Sequence, residues 1–238
     1  MKLDLNCDLG EGEPRARTRE LLRWITSANV ACGGHAGDLK SMEGCVRLAK
    51  QFRVRLGAHP GSWDRGDFGR GSVRITPDEL ELLLLQQVGA LERIARAHHT
   101  PLHHIKLHGA LYHLSETDAA LGRRYVESVA RWWPSAKIYA RAGGKIKERA
   151  RTTAVEVWEE VFADRAYRDD GSLVPRAEPG AVVSDRRAVT ERTAALLKKR
   201  QIVTVSGQPL RLHAQTLCVH SDTPDAARLA RYLAELVR

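Results

Sequence analysis

The chain has 238 residues, a formal charge of +9 and only 5% aromatic residues. That length suits one α/β domain of barrel size, and so few rings argue against a stacking platform for single-stranded nucleic acid. Its basic residues are interspersed with acids, as in RARTRELLR and LGRRYVESVARWW, which predicts a solvated Arg-rich surface rather than a nucleic-acid footprint.

The first predicted strand, Leu3–Cys7, runs into DLNCDLGEGE, where Asn6 and Asp8 share one face and crowd against Glu11. The opening MKLDLNCD holds two acids and no long apolar run, which predicts neither a secretory leader nor a membrane span, and hence a cytoplasmic protein. The second strand, Ser27–Ala31, leads into CGGHAGD. There His35 reads as a functional group and Asp38 as the cap of a helix through Met42, Val46, Ala49 and Phe52. A third strand, Val54–Ala58, ends at His59, and the loop GSWDRGDFGRG after it reads as a mobile lid carrying Arg65 and Arg70.

Thr76, Pro77 and Glu79 then open a long Leu-rich helix to about Ala97. The fourth strand, His103–Leu107, brings Lys106 and His108 onto one face, with Tyr112 just beyond, while the pairs His98–His99 and His103–His104 read as helix end and loop. A stripe of Leu121, Tyr125, Val129 and Trp132 marks the next helix. Strands Lys137–Ala140 and Ala154–Trp158 follow, the latter ahead of Asp164 and Arg165. A hairpin-like piece from Ile202–Val205 to Leu210–Thr216 precedes the last strand, Leu212–Val219, which ends at His220 and Asp222. Thr223, Pro224 and Asp225 open the final helix, with Leu229, Leu233 and Leu236 on one face.

Strands alternating with helices imply parallel pairing, and polar endings on nearly every strand favour a closed barrel over an open sheet with one ligand crevice. The expected fold is α/β: a single irregular (β/α) barrel of about seven strands, forming one catalytic domain over 1–238. No GxGxxG or GxxxxGK[ST] motif follows a strand, and the four cysteines show no CxxC spacing, so buried packing is their expected role. Asp8, His35, His59, His108 and His220 could together hold a divalent metal. Without one, the same groups suit acid–base work on an amide, with Lys106 or Arg165 holding an anionic substrate.

Long stretches resemble the LamB/YcsF family: DLNCDLGE (Asp4–Glu11), NVACGGHAGD (Asn29–Asp38), LGAHPG (Leu56–Gly61) and FGRG (Phe68–Gly71), then KLHGALY (Lys106–Tyr112), EVFADRAYRDDGSLVPR (Glu160–Arg176), EPGAVV (Glu178–Val183) and CVHSDTP (Cys218–Pro224). Departures sit beside the ionisable positions: Gly61, Ser62 and Trp63 after His59–Pro60, Gly71 after Arg70, Leu107 before His108, then His113 and Ser221. They bear on substrate fit and loop shape.

The resemblance implies a barrel similar to glycoside hydrolases and deacetylases. It also implies ATP-dependent opening of 5-oxo-L-proline to L-glutamate, shared with partner subunits B and C of a 5-oxoprolinase. Phosphorylation of the lactam carbonyl oxygen would be the activating step. Asp8, His59, Lys106, His108 and Asp164 are then the expected catalytic groups, with Asn6, Glu11, His35, Arg70, Tyr112, Arg165 and His220 around the substrate. The alternatives are a metal-dependent amide or carbohydrate deacetylase, and a ligand-binding subunit without catalysis.

Overall fold

A computed structural model describes residues 3–223 and 225–237. Seven parallel strands close into a barrel: β1 (Asp4–Leu9), β2 (Ser27–Ala31), β3 (Arg55–His59), β4 (Leu102–Ile105), β5 (Lys137–Arg141), β6 (Val157–Phe162) and, after the antiparallel hairpin β7 (Gln201–Val203) and β8 (Pro209–Arg211), β9 (Thr216–Val219). Closure comes from β9, which pairs with both β6 and β1. The fold is a (β/α) barrel, and its irregularity lies in the long β6–β9 connection, which carries the hairpin and α7 (Arg186–Lys199).

Around the barrel stand α1 (Arg15–Leu21), α2 (Leu39–Phe52), α3 (Pro77–Ala97), α4 (Gly109–Thr117), α5 (Ala119–Trp132), the short α6 (Ile146–Arg149) and α8 (Ala226–Val237). Asp38 and Ser41 form the capping box of α2, and Thr76 and Glu79 that of α3, so both helix starts lie where the side-chain chemistry puts them. Pro224, expected to open α8, lies outside the described residues. Outward strand residues such as Leu5, Leu9, Val30, Leu56, Ile105, Ile138, Val161 and Leu217 bury against the apolar faces of these helices. Two predicted stripe positions miss that layer: Trp132 and Leu236 are exposed, and Trp133 and Val237 are buried instead.

The inside of the barrel departs from the usual filling of branched apolar side chains. Asp4, Asn6, Asp8, Ser27, Asn29, His59, His104, Lys106, Glu160 and Thr216 are all buried polar residues of the barrel strands and their ends. A polar lumen also explains one shift of strand position. The run expected over Ala154–Trp158 is paired from Val157 to Phe162, because Glu160 can point inward without ending the strand. Of the two readings of His103 and His104, the strand His103–Leu107 and not the loop matches the fold: both lie on β4, where His104 is fully buried.

His104 occupies space that a side chain at Gly57 would need: a Cβ there would overlap the imidazole ring. Gly57→Ala is therefore expected to destabilise the fold by about 1–3 kcal/mol, the usual range for overfilling a packed interior. A thermal or urea unfolding curve matching the parent's would show that the ring can move aside.

Candidate active site

From the closed end upward the lumen is one hydrogen-bonded column. Asp4 accepts from Ser27 (2.7 Å), Thr216 (2.6 Å) and Arg55 (3.0 Å). Above it, Asn29 donates to Asn6 Oδ1 and to Asp8 Oδ1, both at 2.7 Å, and His104 Nε2 donates to Asn29 Oδ1 at 2.6 Å. Asn6 in turn donates to Glu160 (2.9 Å) and Thr216 (2.6 Å). Every polar atom of the Asn6 side chain is thus committed inside the barrel, which makes it a support for the carboxylates above it rather than a substrate contact.

Lys106 sits in the next layer. Its ammonium lies 3.0 Å from Asp8 Oδ1, 3.0 Å from Glu160 Oε1 and 3.2 Å from Cys218 Sγ. A buried ammonium is tolerable only with such partners. Burial opposes its charge, but Asp8, Cys218 and Glu160 outweigh it and raise the Lys106 pKa well above the ordinary lysine value. Burial likewise opposes charge on Asp8, yet His59 and Lys106 hold its carboxyl well below the usual range. Tyr112 donates its hydroxyl to Glu160 Oε2 at 3.0 Å, so its phenol braces this layer.

Three histidines and Glu11 cover Asp8. His59 Nδ1 donates to the Lys106 carbonyl at 2.7 Å, which leaves Nε2 facing Asp8 Oδ2 at 3.4 Å and His108 Nδ1 at 3.1 Å. His108 Nε2 donates to the Phe68 carbonyl at 2.9 Å. His35 stacks on His108 with ring centroids 3.6 Å apart, and its Nε2 meets Glu11 Oε1 at 3.0 Å. Burial, with the nearby His59, lowers the His35 pKa to about 2, so this ring is neutral and donates Nε2–H to the carboxylate. Burial and the Asp8 charge raise the Glu11 pKa well above the normal carboxyl value.

Asp164 stands just past the end of β6 and His220 just past the end of the neighbouring β9. His220 Nδ1 lies 2.8 Å from Asp164 Oδ1, and Asp164 Oδ2 accepts from the Thr223 hydroxyl at 2.6 Å and the His220 backbone N–H at 3.2 Å. Burial works against the Asp164 charge, but His220 and Thr223 pull its pKa well below the usual carboxylate value. With Nδ1 held as donor, His220 presents Nε2 toward Asp8 Oδ2, 4.0 Å away.

The loop expected to be a mobile lid lies directly over these groups and is fastened at several points. Arg65 donates to the Gly33 carbonyl (2.8 Å) and the Gly37 carbonyl (2.6 Å), and Ala110 N–H donates to the Gly69 carbonyl at 3.0 Å. Gly109 makes the last contact possible, since its φ is +54° and a Cβ there would strike the Gly69 carbonyl. At the rim, Arg176 donates to both oxygens of the exposed Asp222 at 2.6 Å, and Arg70 approaches the same carboxylate at 3.6 Å. Asp222, expected to complete the inner set, thus faces outward in this rim pair.

The structure brings Asp8, Glu11, His35, His59, Lys106, His108 and His220 into one connected cluster, with Asp164 behind His220 and Arg70 above. Arg165 turns elsewhere: its guanidinium donates to the Val174 carbonyl at 2.6 Å and the Ala181 carbonyl at 3.3 Å, organising the chain after β6. Sequence reasoning did not single out Glu160, Arg176 or Thr223, and it set His104 aside. Glu160 carried a usable signal, an acid inside an apolar strand, which is the argument that singled out Lys106.

Among the described residues, no helix is long and apolar enough to cross a membrane. The sequence profile of the LamB/YcsF family matches residues 3–238. A Pyrococcus furiosus protein, named as the A subunit of 5-oxoprolinase, is 42% identical over 236 residues, covering 98% of this chain and 92% of that one. Its namesake from Limosilactobacillus fermentum is 41% identical over 237 residues, covering 98% and 94%. The crystal structure of a lactam utilization protein from Thermus thermophilus superimposes with a TM-score of 0.89 at 35% identity, covering 99% of this chain and 96% of that one. With that superposition and the matching profile running through every segment that builds the lumen, the chain belongs to the LamB/YcsF family.

Proposed function

We propose that this chain is the A subunit of a cytoplasmic ATP-dependent 5-oxoprolinase, opening 5-oxo-L-proline to L-glutamate together with subunits B and C. Two kinds of support converge: the names of relatives about 40% identical over nearly the whole chain, and a buried acid–base site under a loop. The reading rests most on His220, whose Asp164-held tautomer leaves a basic nitrogen facing the Asp8–Lys106 layer.

The chemistry assigns roles to the surrounding groups. Phosphorylating the lactam oxygen activates the ring carbon. One water then adds, with its proton passing to His220 Nε2. The ring C–N bond breaks as nitrogen takes a proton, leaving a carboxyl phosphate, and a second water releases inorganic phosphate and glutamate. Arg70 and Arg176 have the geometry to hold the substrate carboxylate or the phosphate, as guanidinium forks do, by displacing Asp222. Lys106 helps to hold Asp8 ionised, so the lactam meets a site of fixed charge. Asp8, His59 and His108 are 5% exposed or less, so substrate entry requires the Phe68–Arg70 segment to lift.

The test is glutamate release from 5-oxoproline by the chain mixed with candidate B and C subunits, with and without ATP. The expected result is ATP-dependent release that needs this chain. Absence of ATP-stimulated glutamate from the complete mixture would overturn the assignment. Chelator-sensitive release of acetate from acetylated substrates, without ATP, would establish the deacetylase alternative in its place.

A further inference from the structure

The hydrogen bonds around Glu11 leave more acceptors than donors at one point in the site. His59 Nδ1 meets the Lys106 carbonyl and His108 Nε2 meets the Phe68 carbonyl, at 2.7 and 2.9 Å. A carbonyl pairs only with a donor, so those nitrogens carry protons, and in the neutral rings the other two present lone pairs. The lone pairs face each other across 3.1 Å, with Asp8 Oδ2 3.4 Å from His59 Nε2 and Glu11 Oε1 3.5 Å from His108 Nδ1 and 3.9 Å from His59 Nε2. Four acceptor atoms converging this way repel one another unless a cation or a proton lies among them.

We propose that His59 Nε2, His108 Nδ1, Glu11 Oε1 and Asp8 Oδ2 form a binding site for one divalent first-row transition ion of the zinc type. Bonds of about 2.0–2.1 Å to a tetrahedral ion place neighbouring donor atoms roughly 3.3 Å apart, close to the 3.1, 3.4 and 3.5 Å separations above and shorter than the 3.9 Å between His59 Nε2 and Glu11 Oε1. Two imidazoles and two carboxylates suit such an ion better than Mg²⁺, which favours oxygen and water. The supporting contacts fit as well: a ligating histidine ordinarily donates its other N–H to an oxygen, and both His59 and His108 do so.

That criterion also excludes His35. Its Nδ1 is buried with no hydrogen-bond partner, and its ring lies parallel to His108 within 5°, so the two rings cannot both aim in-plane lone pairs at one ion. His35 is instead a positioning residue that holds Glu11 through Nε2. A second candidate group, Asp8 with Cys218 and His220, is disfavoured because the Cys218 sulfur faces the Lys106 ammonium at 3.2 Å.

Metal binding stands apart from the lactam reading and is measured without turnover. The full chain, stripped with chelator and dialysed, would be titrated with Zn²⁺ by calorimetry and with Co²⁺ by visible absorption. The expected result is about one equivalent bound with micromolar affinity or tighter. The cobalt bands should be those of nitrogen and oxygen ligation, without sulfur-to-metal charge transfer. His59→Gln and His108→Gln should each weaken binding by at least 100-fold, His35→Asn by about 10–100-fold through the loosened Glu11, and Cys218→Ser should leave affinity unchanged. Failure of the parent chain to bind either ion would mean that a proton bridges His59 and His108, and would overturn the proposal. Undiminished affinity in a His59→Gln/His108→Gln variant with parental circular dichroism would overturn it equally, by moving the ion elsewhere.

Discussion

Replacing Lys106 with methionine is expected to destabilise the protein by about 3–5 kcal/mol, since removing one partner of a buried ion pair strands the other charge. Here two carboxylates are stranded: Asp8 and Glu160 each lie 3.0 Å from the ammonium and would face one another across the lumen without it. For a chain of this length such a loss lowers the melting temperature by roughly 6–20 °C. Turnover should vanish as well, because Asp8 would no longer be held in its charged geometry. The pairing logic makes a second variant informative. Lys106→Met combined with Glu160→Gln removes one stranded charge and should recover a good part of the stability with none of the activity. A single Lys106→Met variant melting within about 2 °C of the parent, well short of that range, would show that the lumen can resolvate despite the burial of this layer.

Asp164→Asn is expected to lower kcat by about two to four powers of ten while leaving the fold intact. The comparable exchange in the Ser-His-Asp template costs about 10⁴ in rate through the wrong histidine tautomer. Asp164 accepts from His220 Nδ1 at 2.8 Å and from Thr223 at 2.6 Å. An asparagine can offer His220 an N–H instead, which favours the tautomer with its proton on Nε2 and removes the base facing Asp8. The effect should fall on kcat rather than on KM, since Asp164 is fully buried behind the ring and has no surface to offer a substrate. The measurement is steady-state turnover of the assembled enzyme alongside circular dichroism of the variant. A kcat within threefold of the parent would remove His220 from the proton-transfer role.

The alternation of strand and helix, the caps at Asp38 and Thr76 and the ionisable strand ends were legible in the sequence because each is a local signal. Capping depends on residues three apart, and a strand end needs only an apolar run followed by a polar side chain. The choice of barrel over open sheet was also accessible, since charged tips recurred on successive strands. The β6 boundary was harder to place. The strand expected over Ala154–Trp158 stopped short of the acids Glu159 and Glu160, whereas the lumen is polar and takes Glu160 inside β6.

By itself, then, the sequence determined which segments are strands and which side chains stand at their ends. Only the tertiary structure decided which of those side chains meet. Lys106 meets Cys218 across 112 residues and Asp8 across 98, and His220 meets Asp164 across 56. Those meetings depend on barrel closure through β9 and on the register of neighbouring strands, which set the height of each residue in the lumen. Tautomers follow the same rule: a histidine's protonated nitrogen is chosen by the carbonyl or carboxylate that the fold carries to it, and no neighbouring residue in the chain encodes that choice.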